Sequence, residues 1–226
     1  IEAETNIELA NRVNNLAVDN LANHCSQYNI QLIHISTDFV FDGLAKKPYL
    51  EIDYTNPISV YGLTKLNGEK NIFNYDLNNS IIIRTSWLFS LNHNNFVTKI
   101  LKKINKCDSI SVVNNEFGSP TNSDDLAESI MKIIPKIKNK KTEIYNYSNT
   151  GFCSRHQFAK KIIELVKGKC ILKEAYTKNI EVKRPPFSAL NSKKIIDKFD
   201  IAIDPWEISL ERLLKKLSNI PNESKK

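Results

Sequence analysis

Residues 33–65 have the sequence IHISTDFVFDGLAKKPYLEIDYTNPISVYGLTK, and the rest of the chain is organised around them. The stretch begins within an apolar run, residues 32–35, that is long enough for a buried strand. Small polar residues follow where a parallel strand would end: Ser36, Thr37 and Asp38. After a loop rich in glycine, proline and aspartate, a helical pattern starts at Tyr61. The stretch therefore predicts a βα unit whose strand ends in polar side chains.

Tyr61 and Lys65 are four residues apart in the predicted helix, so their Cβ atoms share one face at about 5–6 Å. A phenol beside an ammonium group is a candidate proton donor, because the positive charge favours the phenolate and lowers the pKa of the tyrosine. The hydroxyl of Thr37 could complete such a site. The spacing alone also fits an ordinary amphipathic helix, with a half-buried tyrosine and a solvated lysine. A catalytic role is favoured over an ordinary helix face by the order of the blocks, namely a strand, STD, an acidic loop and YGLTKLNGE.

Outside this stretch, strands and helices continue to alternate. Strands are predicted at 80–85, 110–113, 143–147 and 170–173, and helices at about 4–28, 95–106, from 124, 155–166, around 195–199 and 206–217. Residues 114–121 contain Gly and Pro and are predicted to form a turn or loop. The alternation predicts an α/β fold.

Several blocks of the sequence resemble the dTDP-4-dehydrorhamnose reductases, a family of extended short-chain dehydrogenases/reductases. They are STDFVFDG, PYLEIDYTNPISVYGLTKLNGE, RTSWLFS, NNFVTKIL, VVNNEFGSPTNSDDLAESI, YNYSNTGFCSRHQFAKKI and RPPFSALNSKKI. The resemblance covers nearly the whole chain. It implies reduction of dTDP-4-dehydro-6-deoxy-L-mannose to dTDP-L-rhamnose, with hydride from NADPH or NADH, in nucleotide-sugar and cell-surface polysaccharide biosynthesis.

The resemblance also implies roles for individual residues. Tyr61 would donate a proton to the C4 alkoxide, Lys65 would lower its pKa and hold the nicotinamide ribose, and Thr37 would bind the sugar carbonyl. Trp87 could also be a core aromatic residue, but its block RTSW favours contact with the substrate. Arg184 could also be a surface arginine, but its block RPxxSxL favours contact with the substrate. The predicted set comprises the catalytic Thr37, Tyr61 and Lys65, the cofactor-binding Ser36, Tyr61, Lys65, Thr85 and Ser86, and the substrate-binding Thr37, Asp38, Phe39, Trp87, Asn95 and Arg184.

Two positions depart from the family pattern. Phe39 stands where the family often has a tyrosine that contacts the sugar, which leaves the sugar preference open. Asn115 and Glu116 stand where the family usually has Asp-Gln. A carboxylate is unfavourable near a diphosphate, so Glu116 is expected to point elsewhere. No metal ligands are predicted from the residues, and Mg²⁺ enters by resemblance only.

No glycine-rich dinucleotide-binding motif occurs among the 6 glycines. Folds of this kind place such a motif in their first βαβ unit, and the family would supply it upstream of residue 1. The expected fold is therefore a Rossmann-like parallel sheet flanked by helices, without its N-terminal βαβ portion, and with a small C-terminal α/β substrate lobe. The expected divisions are 1–113, the remainder of the dinucleotide-binding domain, 114–220, the substrate lobe with returning sheet elements, and 221–226, a disordered tail. Whether this chain alone binds cofactor or is active is left to experiment.

Composition excludes several other classes. The net charge of +7 comes mainly from lysines spread over helix faces, without a nucleic-acid motif, so no nucleic-acid partner is expected. No apolar run is long enough to span a membrane, and the N-terminus has no signal-peptide pattern. The 4 cysteines are scattered, which favours reduced thiols in a cytoplasmic protein.

Alternatives remain open at this point. A different nucleotide-sugar reductase or epimerase of the same superfamily would share most of these blocks. A 4,6-dehydratase is disfavoured, because those enzymes carry Asp-Glu after the threonine, where Asp38 and Phe39 stand here. A non-catalytic regulatory subunit, like that of methionine adenosyltransferase, is a further possibility, as is an inactive α/β fragment. The sequence does not distinguish dTDP from UDP, or NADPH from NADH, and a homodimer is possible.

Overall fold

A computed structural model describes residues 2–92, 94–176 and 183–218. The predicted tail, residues 221–226, lies outside the described residues. At the N-terminus the elements are α1 (Glu2–Thr5), α2 (Ile7–Asn11), a π-helical turn (Arg12–Leu16) and α3 (Ala17–Gln27). The helix predicted over residues 4–28 is thus confirmed, with one wide turn in it. Asn15 in that turn accepts a hydrogen bond from Asn71 Nδ2 at 2.7 Å, which ties the turn to the next long helix.

The central elements follow the predicted alternation. They are β1 (Ile33–Thr37), a 3₁₀ turn (Asp38–Val40), α4 (Val60–Phe73), β2 (Ile81–Thr85), β3 (Leu88–Phe89), α5 (Phe96–Ile104), β4 (Ser109–Val113), β5 (Phe117–Gly118), β6 (Thr121–Asn122), α6 (Ser123–Ile133) and a 3₁₀ turn (Ile134–Lys136). The C-terminal elements are β7 (Glu143–Asn146), β8 (Cys153–Ser154), α7 (Arg155–Leu165), β9 (Ile171–Ala175), α8 (Lys193–Phe199) and α9 (Trp206–Ser218).

Three parallel strands form the sheet that carries the site, in the order β1-β2-β7. In its register Thr37 lies beside Thr85, so the two strands end at the same level. Ile81 and Ile83 face one side, towards α6 and α8, and Ile82 faces the other, towards α3 and α4. Helices therefore cover both faces, as expected of a Rossmann-like sheet.

A second parallel pair, β4 and β9, belongs to a separate core. That core lies among α5, α7 and α9 and includes Phe89, Phe158 and Trp206. The prediction that residues 114–121 are only a turn or loop is wrong in part, because β5 pairs with β8 and β6 pairs with β3. Two-residue strands whose partners lie far along the chain leave no periodic pattern in the sequence.

Side chains at the helix starts set the positions of the site residues. Ser59 accepts a hydrogen bond from Gly62 N at 3.1 Å and caps α4, and Ser154, one position before the predicted helix at 155–166, caps α7 in a reciprocal pair with Gln157. The four cysteines are free thiols, also as predicted. None of the helices in the described ranges is both long and apolar enough to cross a membrane.

Candidate active site

The end of β1 and the start of α4 meet closely. A Cβ at Gly62 would lie 2.2 Å from the carbonyl oxygen of Phe39, so only glycine permits this approach. The contact brings Tyr61 against Phe39, with ring centroids 5.7 Å apart in an edge-to-face arrangement. The Thr37 side chain lies near enough to the Tyr61 hydroxyl to lower its pKa. The structure thus brings together the threonine and the tyrosine that the sequence paired.

The pKa of Tyr61 is raised, and burial is the largest cause. The residue is 37% exposed, but the surroundings of its hydroxyl are enclosed enough to disfavour the phenolate. The nearby Thr37 side chain lowers the pKa, and the charge of Asp38 raises it. The prediction that Lys65 lowers the Tyr61 pKa is therefore wrong for this structure. An i, i+4 spacing brings two residues to one helix face but does not fix where a long side chain ends.

Lys65 instead points back along β1. Its Nζ donates to Ile35 O at 2.7 Å and lies 3.2 Å from His34 Nε2. Burial, followed by the charge of Lys65, lowers the pKa of His34 to about 4, so the imidazole is neutral at pH 7 and can accept from the ammonium. Burial lowers the pKa of Lys65, and the charge of Glu69 raises it. An ammonium has three hydrogens, and these contacts use two of them, so the group suits one more acceptor, such as a ribose hydroxyl.

Behind Lys65, Glu69 and Arg84 form a buried ion pair with Nη2–Oε2 at 2.7 Å and Nε–Oε1 at 3.0 Å. Ser36 donates its hydroxyl to Glu69 Oε1. Ser86 donates to Ser119 O at 2.6 Å. Two hydroxyls predicted to contact cofactor are therefore engaged within the protein.

Thr85, the third predicted hydroxyl, differs from these. Its Oγ1 is buried and has no hydrogen-bond partner among the residues that the structure describes. It lies beside Thr37 at the carboxyl edge of the sheet, where open α/β sheets bind ligands. An orphaned buried hydroxyl at that edge fits a ligand with polar groups.

A cleft of about 360 Å³ opens over this edge. It is lined by Glu4, Phe39, Ser59, Tyr61, Phe96, Lys99, Arg155 and Arg184. A larger apolar groove of about 950 Å³ lies between α5, α7 and α9, away from the threonine–tyrosine pair. We place the site in the smaller cleft, because the acid–base groups and the arginines converge there. Of its lining residues, the sequence predicted Phe39, Tyr61 and Arg184.

Arg155 is the main residue that sequence reasoning missed. Its guanidinium stacks over the Trp87 ring at 4.0 Å from the centroid, and its Nε donates to Glu116 Oε2 at 2.9 Å. Trp87 also packs closely on Gly118, where an added Cβ would lie 2.4 Å from its ring. The backbone φ of Trp87 is +43°, a strained value for a bulky residue and one that clusters at functional sites.

Glu116 joins the two arginines. Besides Arg155, it pairs with Arg184, with Nη1–Oε2 at 3.8 Å. The sequence predicted that this carboxylate would avoid a bound diphosphate, and the structure directs it to two guanidinium groups. The Arg184 side chain remains 39% exposed. The group holds two cations for one anion, so its net charge is positive.

Four predicted substrate residues are not among those that line the cleft: Thr37, Asp38, Trp87 and Asn95. Asn95 caps α5, accepting from Val97 N and Thr98 N and donating to Ser90 O at 2.8 Å. The Asn95 side-chain amide is thus occupied by hydrogen bonds to backbone groups. Asp38 lies beneath Thr37 and is 2% exposed. Burial raises the pKa of Asp38 to about 6.

Within the described ranges, no group of three or more His, Cys, Asp or Glu side chains is arranged to hold a metal ion. Mg²⁺, which entered only by resemblance, has no support in these side chains.

A parallel strand that ends in a threonine, beside a Tyr-x-x-x-Lys helix, defines the short-chain dehydrogenase/reductase class, and both parts are present here. The RmlD substrate-binding domain matches residues 1–219, and the chain belongs to that family.

Individual relatives agree with this membership. The chain is 31% identical to the dTDP-4-dehydrorhamnose reductase of Escherichia coli (strain K12) over 228 residues, covering 96% of this chain and 75% of that protein. It is 34% identical to the protein of the same name from Sinorhizobium fredii over 223 residues, with 94% and 75% covered. The crystal structure of dTDP-4-dehydrorhamnose reductase from Bacillus anthracis in complex with NADP matches with a TM-score of 0.88 at 32% identity, covering 95% of this chain and 76% of that one.

Proposed function

We propose that this chain carries the catalytic and sugar-nucleotide-binding residues of an NAD(P)H-dependent reductase that converts dTDP-4-dehydro-6-deoxy-L-mannose to dTDP-L-rhamnose. The observation that carries the proposal is that Tyr61, with Thr37 close to its hydroxyl, lines a cleft that Lys99, Arg155 and Arg184 make cationic. The relatives named above, one of them bound to NADP, support it. The expected setting is nucleotide-sugar and polysaccharide biosynthesis in the cytoplasm.

The residues divide the work by position. Thr37 and Tyr61 bind the carbonyl oxygen of the sugar, and Tyr61 donates a proton to that oxygen as negative charge develops on it. The raised pKa of Tyr61 keeps the phenol protonated and ready to donate at neutral pH. The exposed guanidinium of Arg184 faces the cleft and suits a diphosphate. The apolar ring of Phe39 suits the methyl group of a 6-deoxysugar.

The nicotinamide cofactor supplies the hydride when it is bound. Lys65 is placed to hold its ribose, and Thr85 offers the unpartnered hydroxyl described above. We propose NADPH, since the structurally similar Bacillus anthracis reductase is in complex with NADP. In the proposed division, residues 1–113 are the remainder of the dinucleotide-binding domain, and residues 114–220 form the substrate lobe with returning sheet elements. A homodimer stays a prediction.

The test is an assay of NADPH oxidation with dTDP-4-dehydro-6-deoxy-L-mannose. It uses the chain alone and the chain joined to a glycine-rich βαβ segment of the kind that binds dinucleotides. Tyr61→Phe is expected to lower kcat by about 100-fold or more, because it removes the proton donor. Tyr54→Phe is the matched control, since Tyr54 is 84% exposed and should leave kcat unchanged.

The outcomes separate the alternatives. Turnover that depends on Tyr61 supports the reductase. NADPH binding without turnover of this sugar, but with turnover of another nucleotide sugar, would move the assignment to a different reductase or epimerase. NADPH binding without turnover of any sugar would favour the non-catalytic, partner-binding class.

A further inference from the structure

The cleft contains one carboxylate that the proposed reaction has not used. Glu4, on α1, lies in its lining beside Tyr61, and the same lining holds the cations Lys99, Arg155 and Arg184. Within the described ranges, none of the ion pairs joins Glu4 to a cation. The cleft therefore holds a negative charge and three positive charges that do not neutralise one another in pairs.

Glu4 is held in place by the start of α4. Its Oε2 accepts from Val60 N at 3.0 Å, and its Oε1 accepts from Tyr61 N at 3.1 Å. These are the first two amides of the helix, whose N–H groups have no partner within the helix and favour an anion. Because both carboxylate oxygens are bound there, the side chain is fixed against α4.

The protein itself thus supplies the anion at this helix start. Backbone amides at the start of a helix readily bind a phosphate group, and two of those in α4 are taken by Glu4. Ser59 takes a third, since its hydroxyl accepts from Gly62 N at 3.1 Å. A diphosphate that approached Tyr61 would meet a like charge and amides that are already bonded.

The substrate of the proposed reaction has the opposite asymmetry. Its diphosphate is anionic, whereas the dehydro-sugar that carries the C4 carbonyl is neutral. The diphosphate is attracted to the arginines Arg155 and Arg184 and repelled by Glu4. The neutral sugar can lie against the carboxylate, and its hydroxyls can donate to the lone pairs that the two amides leave unused.

We propose that Glu4 is a specificity-determining residue that orients the sugar nucleotide in the cleft. Its carboxylate fills the start of α4, keeps the diphosphate away from it, and leaves the place beside Tyr61 to the sugar. The proposal deepens the reductase assignment and rests on it. Specificity of this kind comes from a repulsive group as much as from attractive ones. Glu4 exchanges no proton and forms no bond with the carbonyl.

The first test is the steady-state kinetics of Glu4→Ala in the NADPH assay described above. The variant frees the amides of Val60 and Tyr61 for the diphosphate, so part of the bound substrate lies in the reversed, unproductive orientation. Unproductive binding lowers kcat and KM by the same factor, expected to be about tenfold, the equivalent of a hydrogen bond to a charged group. A fall in kcat with KM unchanged would overturn the proposal, because it would mean that only an interaction made in the transition state was lost.

Two further variants separate charge, space and folding. Glu2→Ala is the matched control, since it removes the same charge from an exposed position on the same helix and should leave kcat and KM unchanged. Glu4→Gln keeps the volume and one of the two amide bonds, because only its amide oxygen can accept. Its kcat and KM should fall together but by less than in Glu4→Ala, and it remains informative if the alanine variant does not fold. A larger fall in Glu4→Gln than in Glu4→Ala would contradict the proposal.

The second test needs no turnover and uses inorganic phosphate as the probe. In Glu4→Ala the NMR signals of the Val60 and Tyr61 amides should shift with added phosphate and saturate, and in the unmodified protein they should not shift. The Nε–H of Arg155, which donates to Glu116, should respond in both proteins. A response of the Tyr61 amide in the unmodified protein, or none in Glu4→Ala, would overturn the proposal even if the protein is an active reductase. The expected pattern in a protein without reductase activity would retain the exclusion of anions by Glu4 and reject only the proposed reaction.

Discussion

Two groups of carboxylates and arginines in this protein differ in how far water reaches them. Glu69 and Arg84, which we call the sealed pair, have side chains only 2% and 3% exposed. Glu116, Arg155 and Arg184, which we call the open cluster, are 6%, 16% and 39% exposed. The sealed pair lies behind the strand ends, and the open cluster lies at the cleft.

The charge balance differs as well. The sealed pair has one cation for one anion; Glu69 also accepts from the Ser36 hydroxyl, and Arg84 also donates to the carbonyl of Glu51. The open cluster has two cations for one anion, and one cation remains in contact with water. A buried ion pair with balanced charges has a structural role, since removing either charge leaves the other buried without a counter-charge. A surplus cation at a cleft can serve an anionic ligand.

The largest expected effect is on the sealed pair. Glu69→Gln keeps the volume of the side chain but leaves Arg84 buried without a counter-charge, and should lower the free energy of unfolding by about 3–5 kcal/mol. Urea unfolding measures this. Glu116→Gln should cost less, because its arginines are less buried. Glu211→Gln is the control, since Glu211 forms an exposed pair with Lys215. A cost for Glu69→Gln no greater than that for Glu211→Gln would contradict the comparison.

The next largest effect is on how the free energy of unfolding depends on pH, through two buried groups, Asp38 and His34. Asp38 faces the open cluster, and its pKa is raised from 3.8 to about 6. The folded state therefore holds this proton more firmly than the unfolded state, and stability falls as pH rises through that window, by up to about 3 kcal/mol. His34 lies by Lys65, and its pKa is lowered from 6.5 to about 4. Its contribution has the opposite sign, because stability is lost as pH falls through that range.

The two contributions overlap between about pH 4 and 6 and partly cancel in the unmodified protein. In Asp38→Asn the histidine term remains, so the free energy of unfolding should rise with pH across this window. In His34→Gln the aspartate term remains, so it should fall. Urea unfolding at a series of pH values measures both slopes. Equal slopes in the two variants would show that the two buried groups do not titrate as described.

A smaller effect is expected on ligand affinity in the open cluster. Arg184→Ala should raise KM for the sugar nucleotide about tenfold, the equivalent of one hydrogen bond to a charged group, with little change in stability. Arg212→Ala is the matched control. The Arg212 side chain, on α9, is similarly exposed, at 48%, and pairs with Asp204. If both variants raise KM equally, the positive charge acts through the long-range electrostatic field of the whole protein. The open cluster then has no specific role in binding the sugar nucleotide.

The elements of the fold were largely predictable because their causes are local. The apolar run before Ser36 and the helix that begins at Arg155 each depend on a few neighbouring residues. The pairing of β5 with β8 was missed, because its partners are distant in sequence. The spacing of Tyr61 and Lys65 predicted one shared helix face. It could not predict that Lys65 would turn back to Ile35 O.

Arg155 shows what a sequence can offer for a missed site residue. It is the first residue of α7, where the helix dipole disfavours a cation. An arginine in that position therefore requires an external partner, and the structure supplies Glu116 and the face of Trp87. The unfavourable placement was visible in the sequence. The identity of the partners was not, because they lie 39 and 68 positions away along the chain.

The smallest expected effects concern the caps that place Tyr61 and Arg155. Ser154→Ala should lower the free energy of unfolding by about 1 kcal/mol, because Ser154 accepts from Gln157 N at 3.1 Å and its hydroxyl also donates to Asn114 Oδ1 at 2.5 Å. Ser59→Ala should cost only about 0.5 kcal/mol, because Glu4 already accepts from the first two amides of α4 at 3.0 and 3.1 Å.

Urea unfolding compares both variants with Ser109→Ala, an exposed serine in β4, which should have no effect. A larger loss at Ser59 than at Ser154 would mean that Glu4 does not hold the start of α4. The double variant Glu4→Gln with Ser59→Ala then decides the point. If Glu4 is the second cap, adding Ser59→Ala to Glu4→Gln should cost more than Ser59→Ala costs alone, because two acceptors that serve one helix start compensate for each other. If the two costs simply add, the acceptors are independent, and the start of α4 depends on Ser59 as the start of α7 depends on Ser154.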